Sequence, residues 1–285
     1  MKSAFRGQTA VRHLLVVSLS AFCLLSSDLV SPQSSSSSIL QDAESAWSRR
    51  AEPGQTERAI ELWAQALQQQ PTRAEILIRL TFACGRANRH AATKAERRSW
   101  TDRALVYGRE AVQKNPQNSH AHAAYAEALG QWADAHKNFR GLRQVKQAIQ
   151  ELQEALRLDP QYSYAHMLLA QFYRKAPSTI SVGDKKKALE HARLAVETGP
   201  QYAINHLVLA ETLLDQGQQP QAVDEFQKIL ALTPPRDTTP ETLSDQATAR
   251  ERLQELGIVP ANAAPASPVE SSSCSDATGA ACTVP

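Results

Sequence analysis

Five prolines divide this chain at places that obey one template. Pro71, Pro116, Pro160, Pro200 and Pro234 each close a run of helix-forming residues. Twelve residues before each stands an alanine: Ala59, Ala104, Ala148, Ala188 and Ala222. Five before each stands Ala66, Ala111, Ala155, Ala195 or Ile229, and eight before each stands Trp63, Gly108, Leu152, Ala192 or Phe226. Offsets of 0, 4 and 7 share one helical face, so each run is an amphipathic helix whose seam is built mainly of small residues. Alanine in the seam permits close approach to a neighbouring helix. Proline then ends the run, because its ring clashes with the preceding turn and turns the residue before it away from α geometry.

A second helix follows each proline. Six and nine residues on stand Leu77 and Leu80, His122 and Tyr125, His166 and Leu169, His206 and Leu209. Ten and thirteen residues on stand Thr81 and Cys84, Ala126 and Leu129, Ala170 and Tyr173, Ala210 and Leu213, which completes a buried stripe. "DPQYSYAHMLLA" (159–170) and "GPQYAINHLVLA" (199–210) are two copies of this junction. The unit therefore reads helix A, loop, helix B, proline, and in this it resembles the tetratricopeptide repeat (TPR) family of antiparallel helix pairs. The resemblance covers about residues 40–256 and implies an all-α, TPR-like α-solenoid of about five antiparallel helix pairs plus a C-terminal capping helix. The first pair is expected near 41–51 and 56–70, and the cap near 240–256. Proline-to-proline distances are 45, 44, 40 and 34 residues, so the longer units are expected to carry insertions between helix A and helix B. These fall at "GRANRHAATKAERR" (85–98), around "DAHKNFRGL" (134–142) and at "RKAPSTISVGD" (174–184).

The flanks differ in kind. Lys2, Arg6 and Arg12 precede an apolar run from Leu14 to Leu25, a pattern expected of a signal peptide over residues 1–27. Twelve mostly apolar residues are short for a membrane span, which needs about 20. Cleavage and retention as an N-terminal anchor both stay open. A Ser-rich linker is expected at 28–39 and a disordered low-complexity tail at 257–285. In an oxidising compartment Cys274 and Cys282, in that tail, are placed to close a local disulfide; a bridge and two free thiols both stay open. Cys84 reads as a small buried thiol.

The net charge of +2 calls for neither nucleic acid nor an anionic membrane, and membrane contact is expected only through the N-terminal segment. The basic stretches at 85–98 and "DKKKALEHAR" (184–193) read as solvated loop and helix start, and they lack the interleaved aromatics that a single strand of nucleic acid requires. The recurring His122, His166 and His206 sit on the stripe that faces the partner helix. Equivalent positions on stacked helices lie about 8–10 Å apart, whereas zinc needs nitrogens within about 2.1 Å. The expectation is three packed imidazoles rather than a metal ladder. No catalytic constellation, metal site or cofactor is expected, and the chain reads as a non-enzyme.

What remains is the inner face of the array, which in TPR proteins is lined by the A helices. Residues four, seven, eleven and fourteen after each proline form it. His120 and Glu127, then Tyr164, Met167, Gln171 and Arg174, then Leu207 and Glu211 are the candidate ligand-binding residues. Arg174 is the expected carboxylate contact, through its planar fork. Tyr162 and Tyr202 are expected to pack between repeats. A narrower resemblance runs from "YAEALGQWADAHKNF" through "INHLVLAETLL", about residues 105–232, and is similar to the TatT family of TPR-bearing accessory components of TRAP transporters. It implies an exported, periplasmic or envelope-associated protein. Its partner would be an extracytoplasmic solute receptor, and its groove would take a small organic acid or apolar ligand. The other expectation is a general extracytoplasmic TPR scaffold for protein–protein interaction in envelope assembly.

Overall fold

A computed structural model of the protein describes residues 32–70, 73–137, 139–176 and 182–258. The signal reading, Pro71, part of the 174–184 insertion and the tail with Cys274 and Cys282 lie outside the described residues. Among those described there are eleven helices and no strand. They are α1 (Pro32–Ser48), α2 (Gln55–Gln69), α3 (Ala74–His90), α4 (Lys94–Lys114), α5 (Ser119–His136), α6 (Phe139–Leu158), α7 (Ser163–Lys175), α8 (Lys185–Thr198), α9 (Ala203–Leu214), α10 (Gln219–Ala231) and α11 (Thr239–Glu255). No described helix is long and apolar enough to cross a membrane.

The helices pair as α1·α2, α3·α4, α5·α6, α7·α8 and α9·α10, with α11 packed on both α9 and α10. Five pairs and a cap are what the proline template implies. The pairs stack in chain order, and the A helices α3, α5, α7 and α9 also touch one another directly, with α11 continuing the row. The B helices α4, α6, α8 and α10 make no such contact with one another. A row that touches on one side and splays on the other is curved, so the A helices line the concave side.

The template positions form the seam. All five alanines twelve residues before a proline are fully buried, as are Ala66, Ala111, Ala155, Ala195 and Ile229. Gly108 shows why the seam is small. A Cβ there would sit 2.9 Å from the Tyr125 backbone Cα, so α4 and α5 approach more closely than alanine allows. The helices also begin where local chemistry dictates. Thr93 and Glu96 form a capping box at α4. The Asn118 side chain accepts from the amides of His120 and Ala121, and Asp184 accepts from those of Lys186 and Lys187.

Two expectations change. The stretch 85–98 is not a loop: α3 runs on to His90, a three-residue turn follows, and α4 starts at Lys94. The extra length of this unit goes into longer helices, because 85–90 contains no proline to stop α3 and Thr93–Glu96 restarts the chain at once. The 28–39 stretch is likewise helical from Pro32. Proline suits the first helical position, and no helix breaker follows it before α1 is established.

Candidate functional site

The recurring histidines are structural staples. His122 Nε2 donates to the Pro116 carbonyl at 2.9 Å, and its Nδ1 lies 2.7 Å from the Glu151 carboxylate on α6. His206 repeats this with the Pro200 carbonyl at 2.9 Å and Glu225 of α10 at 2.6 Å. His166 keeps the Pro160 carbonyl at 3.2 Å but meets His191 Nδ1 at 3.0 Å on α8. Glu151, His191 and Glu225 all stand nine residues before the next proline. Each imidazole thus ties the loop at the start of helix A to the middle of helix B, satisfying a carbonyl at the loop that would otherwise lack a donor. In the α3·α4 unit the same two positions hold Leu77 and Tyr107, which join a hydrophobic cluster instead.

The partner sets each titration. The hydrogen bond with Glu151 raises the His122 pKa against the opposing effect of burial. Burial lowers both His166 and His191, and the neighbouring imidazole lowers His191 further. Burial works to raise Glu225, but hydrogen bonds from His206 and Lys228 outweigh it and hold the carboxyl low. Among the described residues no group of three or more His, Cys, Asp or Glu side chains is placed to hold a metal ion. Cys84 is fully buried, and burial pushes its thiol up to about 12.

The concave face carries the candidate ligand-binding residues apart from His120, and the structure links most of them to one another. Glu127 of α5 accepts from Arg89 of α3 at 3.2 Å, from Gln131 at 2.7 Å and from the Tyr164 hydroxyl of α7 at 2.8 Å. Burial, then the Glu127 charge, pushes the Tyr164 phenol well above its usual range. Arg174 of α7 lies 3.2 Å from Asp215 and 3.7 Å from Glu211, and Glu211 also receives Arg252 of α11 at 2.8 Å. A ladder of alternating charge therefore runs from α3 to α11. Phe82 of α3 reaches Tyr164 of α7 edge-on at 5.8 Å, two repeats away, so the curvature is tight. Met167 is buried and accepts from Gln171 through sulfur at 3.3 Å, and Leu207 packs partly buried on the main core. His120 stands apart on the exposed side of α5, its ring 4.5 Å from that of Tyr162. Tyr162 itself packs against the core at the α5–α7 junction, in the inter-repeat place expected of it.

One part of the site had no sequence signal. Arg50, in the turn after α1, and Arg86 of α3 are both more than nine-tenths buried and converge on Glu241 of α11. Arg50 donates to Glu241 at 2.9 and 2.5 Å and to the Asp237 carbonyl, while Arg86 donates to Glu241 at 2.8 Å and to the Arg50 carbonyl at 3.2 Å. Residues 191 apart in sequence are thus joined, and the two ends of the solenoid close on each other. Burial works to raise Glu241, but the guanidinium groups of Arg50 and Arg86 hold it low. Asp245, one turn on, has the opposite fate: burial and the Glu241 charge push it up to about 7, against the pull of Arg89. Among the described residues, Arg86 Nε, Asn88 Oδ1 and Arg174 Nε on or beside this face, and Thr238 Oγ1 near the closure, are buried polar atoms that lack a partner.

Paired A and B helices, a small-residue seam and a curved inner row define a helical-repeat solenoid of the TPR type. The chain belongs to the family described as Regulator of microtubule dynamics protein 1-3, whose model matches residues 39–257. Among solved structures it is similar to a thermophilic TPR protein of Thermus thermophilus, at 20% identity and a TM-score of 0.61, covering 77% of this chain and 99% of that one. It is more distantly similar to yeast Tom70, at 15% identity and a TM-score of 0.48, covering 77% of this chain and 40% of that one. MamA of Desulfovibrio magneticus follows at 16% identity and a TM-score of 0.44, covering 68% and 94%. At 20% identity the likeness to the Thermus thermophilus protein shows the fold alone. No curated protein matches the sequence.

Proposed function

We propose that this chain is a non-catalytic scaffold that holds a segment of a protein partner against its concave face, in an exported or envelope-associated setting. The observation that carries this reading is the charge ladder on the A helices. Arg174 lies within reach of two carboxylates, of which Asp215 is half exposed, so a partner carboxylate can replace Asp215 without stranding a buried charge. Extended or helical segments laid along such a row would meet alternating charge at each repeat. The finer reading is an accessory component of a TRAP-type uptake system, supported by the resemblance over residues 105–232. There the partner is a solute receptor, and a small organic acid would take the same place at Arg174. The family description names microtubule dynamics, and by that analogy the partner would be a cytoskeletal polymer.

Affinity purification of the native chain, with mass spectrometry of what it retains, tests the reading. Retention of one protein, lost on Arg174→Ala while the fold persists by circular dichroism, is the expected result. A solute receptor in that position would favour the uptake reading, and co-sedimentation of the chain with polymerised microtubules the cytoskeletal one. Retention unchanged by Arg174→Ala and Glu211→Ala together would overturn the concave face as the site.

A further inference from the structure

We infer that a second docking surface lies on the outer layer, along α8, and that it takes an acidic, partly apolar peptide segment of a partner protein. An open groove of about 730 Å³ runs beside this helix to the end of α9. Half-buried Leu189 and Leu194 form its floor, Lys185, Lys186 and Arg193 its cationic rim, and Gln216 its far wall. Among the described residues Glu190 is the one acid in the lining. Lys186, Leu189, Glu190 and Arg193 follow i, i+3, i+4, i+7 spacing, so the helix presents them as one stripe.

The charges on this stripe are unspent. Among the described residues the side chains of Lys185, Lys186 and Arg193 make no hydrogen bond or ion pair. By contrast the cations that join the A helices and the two ends of the array, Arg50, Arg86, Arg89, Arg174 and Arg252, are all paired, and the adjacent Lys187 lies 5.4 Å over the Tyr173 ring. Three free cations around two leucines complement a segment that alternates acidic and apolar residues. A membrane surface fits less well, because a flat headgroup layer takes up fully exposed apolar tips, and Leu189 and Leu194 are half-buried. A smaller hollow of about 190 Å³ shares Lys185 and Gln216 and opens toward Arg174 and Asp215, giving such a segment a path to the concave side. The cations of α8 carry the proposal, so it stands or falls apart from the concave site.

The test is fluorescence anisotropy of the full chain with a labelled (Glu-Glu-Leu)5 peptide, with (Lys-Lys-Leu)5 as the opposite-charge control. The acidic peptide is expected to bind with an affinity that falls as salt rises, and the basic one not to bind. The double reversal Lys186→Glu/Arg193→Glu should weaken binding about tenfold or more. Leu189→Ser, which leaves net charge unchanged, should weaken it several-fold, with helicity checked by circular dichroism. Three results overturn the proposal. One is absence of binding at millimolar peptide. Another is an equal loss on Lys94→Glu/Arg97→Glu, which would mean net charge alone. The last is co-sedimentation with phosphatidylglycerol vesicles that depends on Lys186 and Arg193 while the peptide is ignored.

Discussion

Glu241→Ala removes the carboxylate that joins the two ends of the solenoid. Three charge-assisted contacts go at once, at 2.9, 2.5 and 2.8 Å, from two arginines that are more than nine-tenths buried. Removing one partner of a buried pair costs about 3–5 kcal/mol, mostly as the penalty of an uncompensated charge. Two features reduce this here. Arg50 keeps the Trp47 and Asp237 carbonyls and Arg86 keeps the Arg50 carbonyl. The Glu241 side chain is also 34% exposed, so water enters readily once it is gone. The expected loss is about 2–3 kcal/mol. It falls on the closure rather than on the helix pairs, because the seams of the five units do not involve Glu241. Native-state hydrogen exchange is the assay. Amides of 49–56 and 237–246 should open about 30- to 150-fold more often, since each 1.36 kcal/mol is tenfold. Amides of α6 should be unchanged. Glu241→Gln, which keeps an acceptor but no charge, should fall between. Opening within about threefold of the unaltered chain in both segments would refute the closure.

His191→Glu recreates at the α7·α8 unit the carboxylate partner that His122 has, and should invert the pH response of that unit. As it stands, His166 and His191 are both held below the ordinary 6.5, so the unfolded chain takes up protons first and stability falls on acidification. With a carboxylate opposite it the His166 pKa rises, stability is greatest below the unfolded value and is lost as pH rises through the folded one. A gain of about 1–2 kcal/mol at a pH of about 5.5 is expected in urea unfolding, with His166 followed by NMR. Asp245 is raised from 3.8 to about 7, so the folded state holds its proton longer and stability declines as pH rises between those values. Asp245→Asn should therefore stabilise at a pH of about 8 by about 2 kcal/mol after discounting for partial exposure, and do little near pH ~4. Gly108→Ala should destabilise by about 1–2 kcal/mol despite alanine's better helix propensity. The added Cβ meets backbone 2.9 Å away that cannot rotate aside. A midpoint that rises in urea unfolding would contradict that packing.

The architecture was legible because its causes are local and repeated. Proline positions end helices by sterics, and alanines twelve and five residues before them mark the seam, so the helix pairs, the cap and the buried histidines follow from spacing. Where the expectation erred, as at 85–98, a basic polar stretch resembled a loop although nothing in 85–90 stops a helix. The site was legible in part. Glu127, Tyr164, Gln171 and Arg174 were placed on one face by helical period. Their partners Arg89, Asp215 and Arg252 were not, since each lies on another helix or beyond one and no spacing links them. The closure through Arg50, Arg86 and Glu241 had no signal at all. It depends on the summed rotation of five stacked pairs, and a small turn at each seam decides whether Arg50 meets Glu241. Periodicity determined what each unit is, and only the tertiary structure decided how far the units turn and which charges they bring face to face.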